Sequence, residues 1–180
     1  ALPISCSKKN DFLSLIQPID SGWHFSEAGK DTWLPATVPG TVHSDLYRNG
    51  VIANPLYGCN EGSLQWIGQK DWIYRTDFEV TTETWKQENL QLVFEGLDTY
   101  AQIFLNGQII GEANNMFRQW EYDCKKEIKS GRNRIEILVR SAEMQTLSDS
   151  TATGYTLPGG RRVFARKAAY HFGWDWGPKF

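Results

Sequence analysis

Between Asp71 and Val80 apolar and polar side chains alternate. Trp72, Tyr74, Thr76, Phe78 and Val80 share one side, and Ile73, Arg75, Asp77 and Glu79 share the other. A period of two predicts a strand with one buried face. The period returns at Leu90, Leu92 and Phe94, and again at Ala101, Ile103 and Leu105. Asn106–Gly107 then supplies a tight hairpin turn, because both positions tolerate positive φ, and Gln108–Ile109–Ile110 reads as the return strand. Phe117 to Cys124 predicts a further strand with Trp120, Tyr122 and Cys124 on one face. Ser130–Gly131–Arg132–Asn133 is a turn, and Ile135, Ile137 and Val139 close the series with Glu136 and Arg140 outward. A short apolar-polar-apolar candidate, Trp23–His24–Phe25, precedes them all. Strands this short and regularly spaced predict an all-β sandwich.

The rest of the pattern predicts little helix. Thr37–Val38–Pro39–Gly40 is a turn. Thr41 then N-caps one short helix, Val42 to Asn49, ended by Gly50, with Val42 and Leu46 on one face. Residues 53–70, punctuated by Pro55, Gly58, Gly62 and Gly68, read as loop with Trp66 and Ile67 as packing anchors. Residues 141–160 are rich in Ser, Thr and Gly and read as a long surface excursion that helps build a site. Residues 1–20 read as a loosely packed N-terminal segment and 21–180 as one domain. The chain opens on Ala1 without Met, so the expectation is that a piece before it has been removed or was never part of this chain.

Composition narrows the partners. A formal net charge of −2 gives no electrostatic reason to expect nucleic acid or an anionic membrane surface. No stretch reaches the ~20 apolar residues of a membrane span. Cys6, Cys59 and Cys124 are an odd number without metal-ligand spacing, and His24, His43 and His171 are scattered, so neither a metal nor another cofactor is expected. Eight tryptophans in 180 residues fit a large β-core or sugar recognition.

The candidate chemistry is concentrated in Ala165–Phe180, ARKAAYHFGWDWGPKF. Trp174, Asp175 and Trp176 stand in a row between Gly173 and Gly177–Pro178. Sugar C–H faces stack on aromatic rings, and a carboxylate accepts strong, charge-assisted hydrogen bonds from hydroxyls. The same triplet also fits a turn anchored in a core, which on residue chemistry alone is the commoner use of tryptophan.

Several stretches together resemble a known family. VPGTVHSDLYRNGVI (Val38–Ile52), DWIYRTDFEV (Asp71–Val80), LVFEGLDTYAQIFLNGQIIGEANNMF (Leu92–Phe117) and GRNRIEILVRSA (Gly131–Ala142) resemble the N-terminal sugar-binding-like domain of glycoside hydrolase family 2. RKAAYHFGWDWGP (Arg166–Pro178) is similar to the motif of its β-mannosidase branch. The resemblance implies a jelly-roll β-sandwich, galactose-binding-domain-like, packed against a catalytic (β/α)₈ barrel of the same polypeptide. It implies a retaining hydrolase of terminal β-mannosides, to whose active site this domain sends a loop. Carried onto this chain, it gives Trp174 and Asp175 as substrate-binding residues: Asp175 accepts from sugar hydroxyls and Trp174 walls the site. Arg166, His171 and Trp176 are site-supporting, Trp176 and Phe172 as packing under the loop. Arg166 and Lys167 would orient Asp175 or pair with acids of the barrel.

The two glutamates that such an enzyme needs ~5–5.5 Å apart belong, by the same resemblance, to the barrel, which alone takes ~250 residues. Glu79, Glu95 and Glu136 read as strand-end or outward positions, and the remaining glutamates as solvated. No catalytic residue is therefore expected here, the domain is expected to be inactive alone, and its last strand is expected to lie past Phe180. The rival readings are a stand-alone carbohydrate-binding module, a purely structural interface domain, or the corresponding domain of a β-galactosidase or β-glucuronidase. The substrate class points to a periplasmic or secreted location, with lysosomal or cytoplasmic as alternatives.

Overall fold

In the computed structural model, which describes residues 15–155, 157–175 and 177–179, the chain runs through twelve helices and strands. They are β1 (His24–Glu27), β2 (Leu34–Pro35), α1 (Val42–Arg48), α2 (Asn60–Leu64), β3 (Trp72–Val80), α3 (Thr82–Trp85), β4 (Gln91–Phe94), β5 (Tyr100–Leu105), β6 (Gln108–Asn114), β7 (Trp120–Asp123), β8 (Gly131–Arg140) and α4 (Ala142–Thr153). Six strands form one sheet in the order β2-β1-β3-β8-β5-β6, and β4 pairs with β7 in a second, two-stranded sheet; all these pairings are antiparallel. The all-β sandwich is the architecture found.

The predicted alternation is what closes it. On β5 Ala101, Ile103 and Leu105 are buried and the residues between them are half-buried. Ile103 faces Ile137 and Leu105 faces Ile135 across the ladder, while Tyr74 and Thr76 of β3 meet the same two isoleucines from the other side. These cross-strand rows pack under Leu92, Cys124 and Ile128 as the main core. Trp120 and Tyr122 of β7 stack with ring centroids 6.4 Å apart. The Asn106–Gly107 turn has positive φ at both residues (53° and 82°), as its residue types require. Among the buried polar side chains, Asn133 donates to the carbonyls of Lys129 and Gly131 and accepts from the Lys129 amide and the Asn106 side chain, so all its hydrogen-bonding capacity is used.

A smaller core of Phe25, Leu46, Leu64, Ile67 and Trp72 lies at one end of the large sheet. It corrects the reading of residues 53–70 as loop. Asn60–Leu64 is helical, continuing into a 3₁₀ turn over Gln65–Gln69, because burying Leu64 and Ile67 against Trp72 outweighs the cost of Gly62 and Gly68. Trp66 packs on Trp72 at 6.2 Å yet remains partly exposed. Helix α1 forms as the pattern predicts, with Thr41 and Ser44 in a reciprocal capping box.

The expectation of one helix fails elsewhere too. Residues 142–153, read as part of a surface excursion, are helix α4. Its many hydroxyls do not compete with the helix because they hydrogen-bond back to it: Thr146 to the Ala142 carbonyl, Thr151 to Leu147 and Thr153 to Asp149. Ser141 caps it by accepting from the Met144 amide and donates to the Gly68 carbonyl at 2.6 Å. Gly154, at φ 73°, closes it. The Phe117–Cys124 strand shortens to β7 because Asn115 turns the chain, its side chain accepting from the Phe117 amide.

Candidate functional site

After α4 the chain makes a 3₁₀ turn over Gly160–Phe164 and a second over Ala169–Phe172 before reaching Trp174. The segment is tied down step by step. Tyr100 Oη donates to the Phe164 carbonyl at 3.2 Å. Arg166 bridges Asn115 in parallel, and its carbonyl accepts from the Met116 amide at 3.0 Å, while its side chain is exposed. Ala168 is buried. At the far end the Lys179 amide donates to Glu61 Oε1 at 2.7 Å, and Gln65 Nε2 donates to the Lys179 carbonyl at 2.9 Å, so α2 holds the chain just past the turn.

Between these ties Trp174 and Asp175 project. Trp174 and Gly177 form an isolated antiparallel bridge, with the Gly177 amide donating to the Trp174 carbonyl at 3.3 Å. Gly173 enters at φ 97°, in the left-handed region open to glycine. A Cβ at 177 would stand 2.0 Å from Trp174 Nε1, so the indole lies directly over the Gly177 backbone. Trp174 is 56 % exposed and Asp175 is exposed. Of the residues expected at the site, the structure brings Trp174 and Asp175 together on one turn and sets Arg166 and His171 in the segment beneath. Trp176, expected as packing, lies outside the described residues.

At the base of the turn Lys167, expected to orient Asp175 or to pair with an acid of the barrel, pairs with Asp98 of this domain instead. Asp98, in the loop before β5, receives the Lys167 ammonium and, at 3.3 Å, His171 Nδ1 on the same carboxylate oxygen. The other oxygen takes the Thr99 hydroxyl. Burial holds the His171 pKa below its ordinary value, as does the Lys167 charge, against the pull of Asp98. The His171 Nδ1 faces the Asp98 carboxylate at 3.3 Å. His43 on α1 feels burial first and the Lys167 charge second, and its pKa falls to about 4. Asp98 was visible only as a letter of the FEGLDTY motif. His171 was visible in the last stretch, but not its partner.

Chemically the turn offers an aromatic face and one open carboxylate. Such groups are the kind that contact a polyhydroxylated ring, but glycoside hydrolysis takes two carboxyl groups in fixed register. Several other acids engage structural partners: Glu27 pairs with Lys30 and Lys70, Glu112 accepts from Gln102, and Glu143 faces Arg161. Among the described residues no group of three or more His, Cys, Asp or Glu side chains is arranged to hold a metal ion. Among the described residues no helix is long and apolar enough to cross a membrane.

The sequence profile of a family described as glycosyl hydrolase 2 galactose-binding domain-like matches residues 23–180. The chain belongs to that family. It is 39 % identical over 171 residues to β-mannosidase B of Emericella nidulans, covering 89 % of this chain and 20 % of the fungal protein. It is 35 % identical to the β-mannosidase of Mus musculus, over 90 % of this chain and 20 % of the mouse protein. The crystal structure of β-D-mannosidase from Dictyoglomus thermophilum superposes with a TM-score of 0.87 at 43 % identity, over 89 % of this chain and 20 % of that one. The family 2 homologues are thus β-mannosidases, and the chain spans about a fifth of their length.

Proposed function

We propose that this family 2 domain is the sugar-binding-like part of a retaining β-mannosidase that releases terminal non-reducing β-D-mannose, and that it supplies the Trp174–Asp175 turn to an active site completed by a catalytic barrel of the same polypeptide. The observation that carries the reading is the turn itself: an exposed indole and an exposed carboxylate held out between ties on both sides. A core anchor would have buried its tryptophan. Asp175 accepts hydrogen bonds from mannosyl hydroxyls, and Trp174 covers a face of the ring and excludes water. The glutamates that perform the displacement lie in the barrel, so the domain alone turns over no substrate.

The test is Asp175→Ala in the full-length enzyme with an aryl β-mannoside. Contacts that strengthen in the transition state predict a loss in kcat/KM of at least about tenfold, or ~1.4 kcal/mol. Kinetics within twofold of the parent would remove Asp175 from the sugar site.

A further inference from the structure

We infer that Asp98 is a positioning residue for the Trp174–Asp175 turn, acting through Lys167 and His171. It is fixed in the loop that enters β5, next to Thr99, whose backbone is buried and whose hydroxyl occupies one carboxylate oxygen. That leaves the second oxygen aimed at the segment after α4, where it takes two donors four residues apart, Lys167 Nζ and His171 Nδ1. Lys167 stands two residues before the 3₁₀ turn over Ala169–Phe172 and His171 lies within it, three residues before Trp174. One carboxylate therefore sets both the position of that 3₁₀ turn and the direction in which the chain leaves it.

The charges make the tie strong. The Lys167 side chain is only 15 % exposed, so its ammonium has given up most of its water and depends on Asp98 as counter-charge. The groups facing it are Asp98, the imidazole of His171 and that of His43, and Asp98 is the acid among them. Without the Asp98 charge, Lys167 regains solvation by swinging outward and takes Ala168 and the following turn with it. The Arg166 and Lys179 backbone ties fix the two ends of the segment; Asp98 fixes its middle.

The kinetic consequence rests on the reading of Asp175 as a sugar ligand, so the experiment carries two readouts, both on the full-length enzyme. The first is kcat/KM with an aryl β-mannoside for the parent, Asp98→Asn, Asp175→Ala and the double variant. Asp98→Asn keeps the shape and removes the charge. If it works by aiming the turn, it lowers kcat/KM about tenfold in the parent and by less than about twofold once Asp175 is gone, because the interaction it serves is already absent. Equal losses in both backgrounds, or Asp98→Asn within twofold of the parent, overturn the assignment.

The second readout is amide hydrogen exchange over residues 164–179. Asp98→Asn accelerates exchange there and leaves β3, β5 and β8 unchanged; unaltered protection overturns the assignment whatever the kinetics show. Lys167→Met cuts the same tie from the other side. It gives the same exchange pattern and stands in if Asp98→Asn fails to fold. If Asp175→Ala itself proves near normal, the sugar reading fails, and the exchange measurement alone decides the role of Asp98.

Discussion

Gly177 carries no side chain because the Trp174 indole occupies the place where one would go. A Cβ there meets Nε1 at 2.0 Å and Cδ1 at 2.5 Å, inside any tolerable contact, so Gly177→Ala forces the ring off its seat. On the proposal that Trp174 walls a sugar site, misplacing it by an ångström is expected to lower kcat/KM of the full-length enzyme about tenfold or more, with a change in tryptophan fluorescence and a near-normal melting temperature. A variant with normal fluorescence and kinetics would show that the stacking has no consequence. In the interior, Ile103 is fully buried in the main core, and Ile103→Ala should cost about 2–5 kcal/mol in a denaturant melt. His43 gives a pH signature. Its folded pKa, about 4, lies below the ordinary 6.5, so on acidification the unfolded chain takes up the proton first. The stability in question is whole above about pH 6.5 and is lost progressively toward pH 4, by about 1–2 kcal/mol once the partial exposure of the ring is allowed for. His43→Asn should flatten that part of the curve of melting temperature against pH.

Strands β3, β5 and β8 were legible because a half-buried strand writes its burial into every second letter, and the neighbouring strands agree: Ile103, Ile135 and Ile137 are apolar for one another's sake. Helix α4 was not legible, because its stability lies in hydrogen bonds and neighbours that no periodicity reports. Its hydroxyls bond back to its own carbonyls, and its first turn hangs on Ser141, which caps the Met144 amide and also reaches Gly68. Ser141→Ala should therefore cost more than an ordinary cap, about 2 kcal/mol, since it removes a cap and leaves a buried carbonyl without its donor; a loss under 0.5 kcal/mol by thermal melting would show the cap to be dispensable. The candidate site divides the same way. Trp174 and Asp175 stood out beside their glycines, but residue chemistry alone favoured a core anchor, and their assignment to a sugar site came from the family resemblance. Of their support, Lys167 and His171 were named in the same stretch, whereas Asp98 was not, because it stands 69 residues from Lys167 in the chain and meets it only in the fold.

Taken as one body, the domain presents Trp174 and Asp175 on a turn tethered on both sides. An independent binding module would instead need enough surface around the ligand to bind it unaided. The expected result of titrating the isolated domain with mannose, followed by tryptophan fluorescence, is no saturable change into the high-millimolar range; a saturable change would favour a self-sufficient module. The strand order has a consequence for how copies of this chain meet. At one border of the six-stranded sheet stands the two-residue β2, whose Pro35 has no N–H to offer and whose carbonyl is taken by the Asn49 side chain. A neighbouring chain finds no ladder to extend on that side. The opposite border is β6, longer and carrying an exposed Ile109. Fibrillar growth of heated protein is thus biased to one border, and Ile109→Lys should delay its onset, leaving the folded fold and its chemistry as they were.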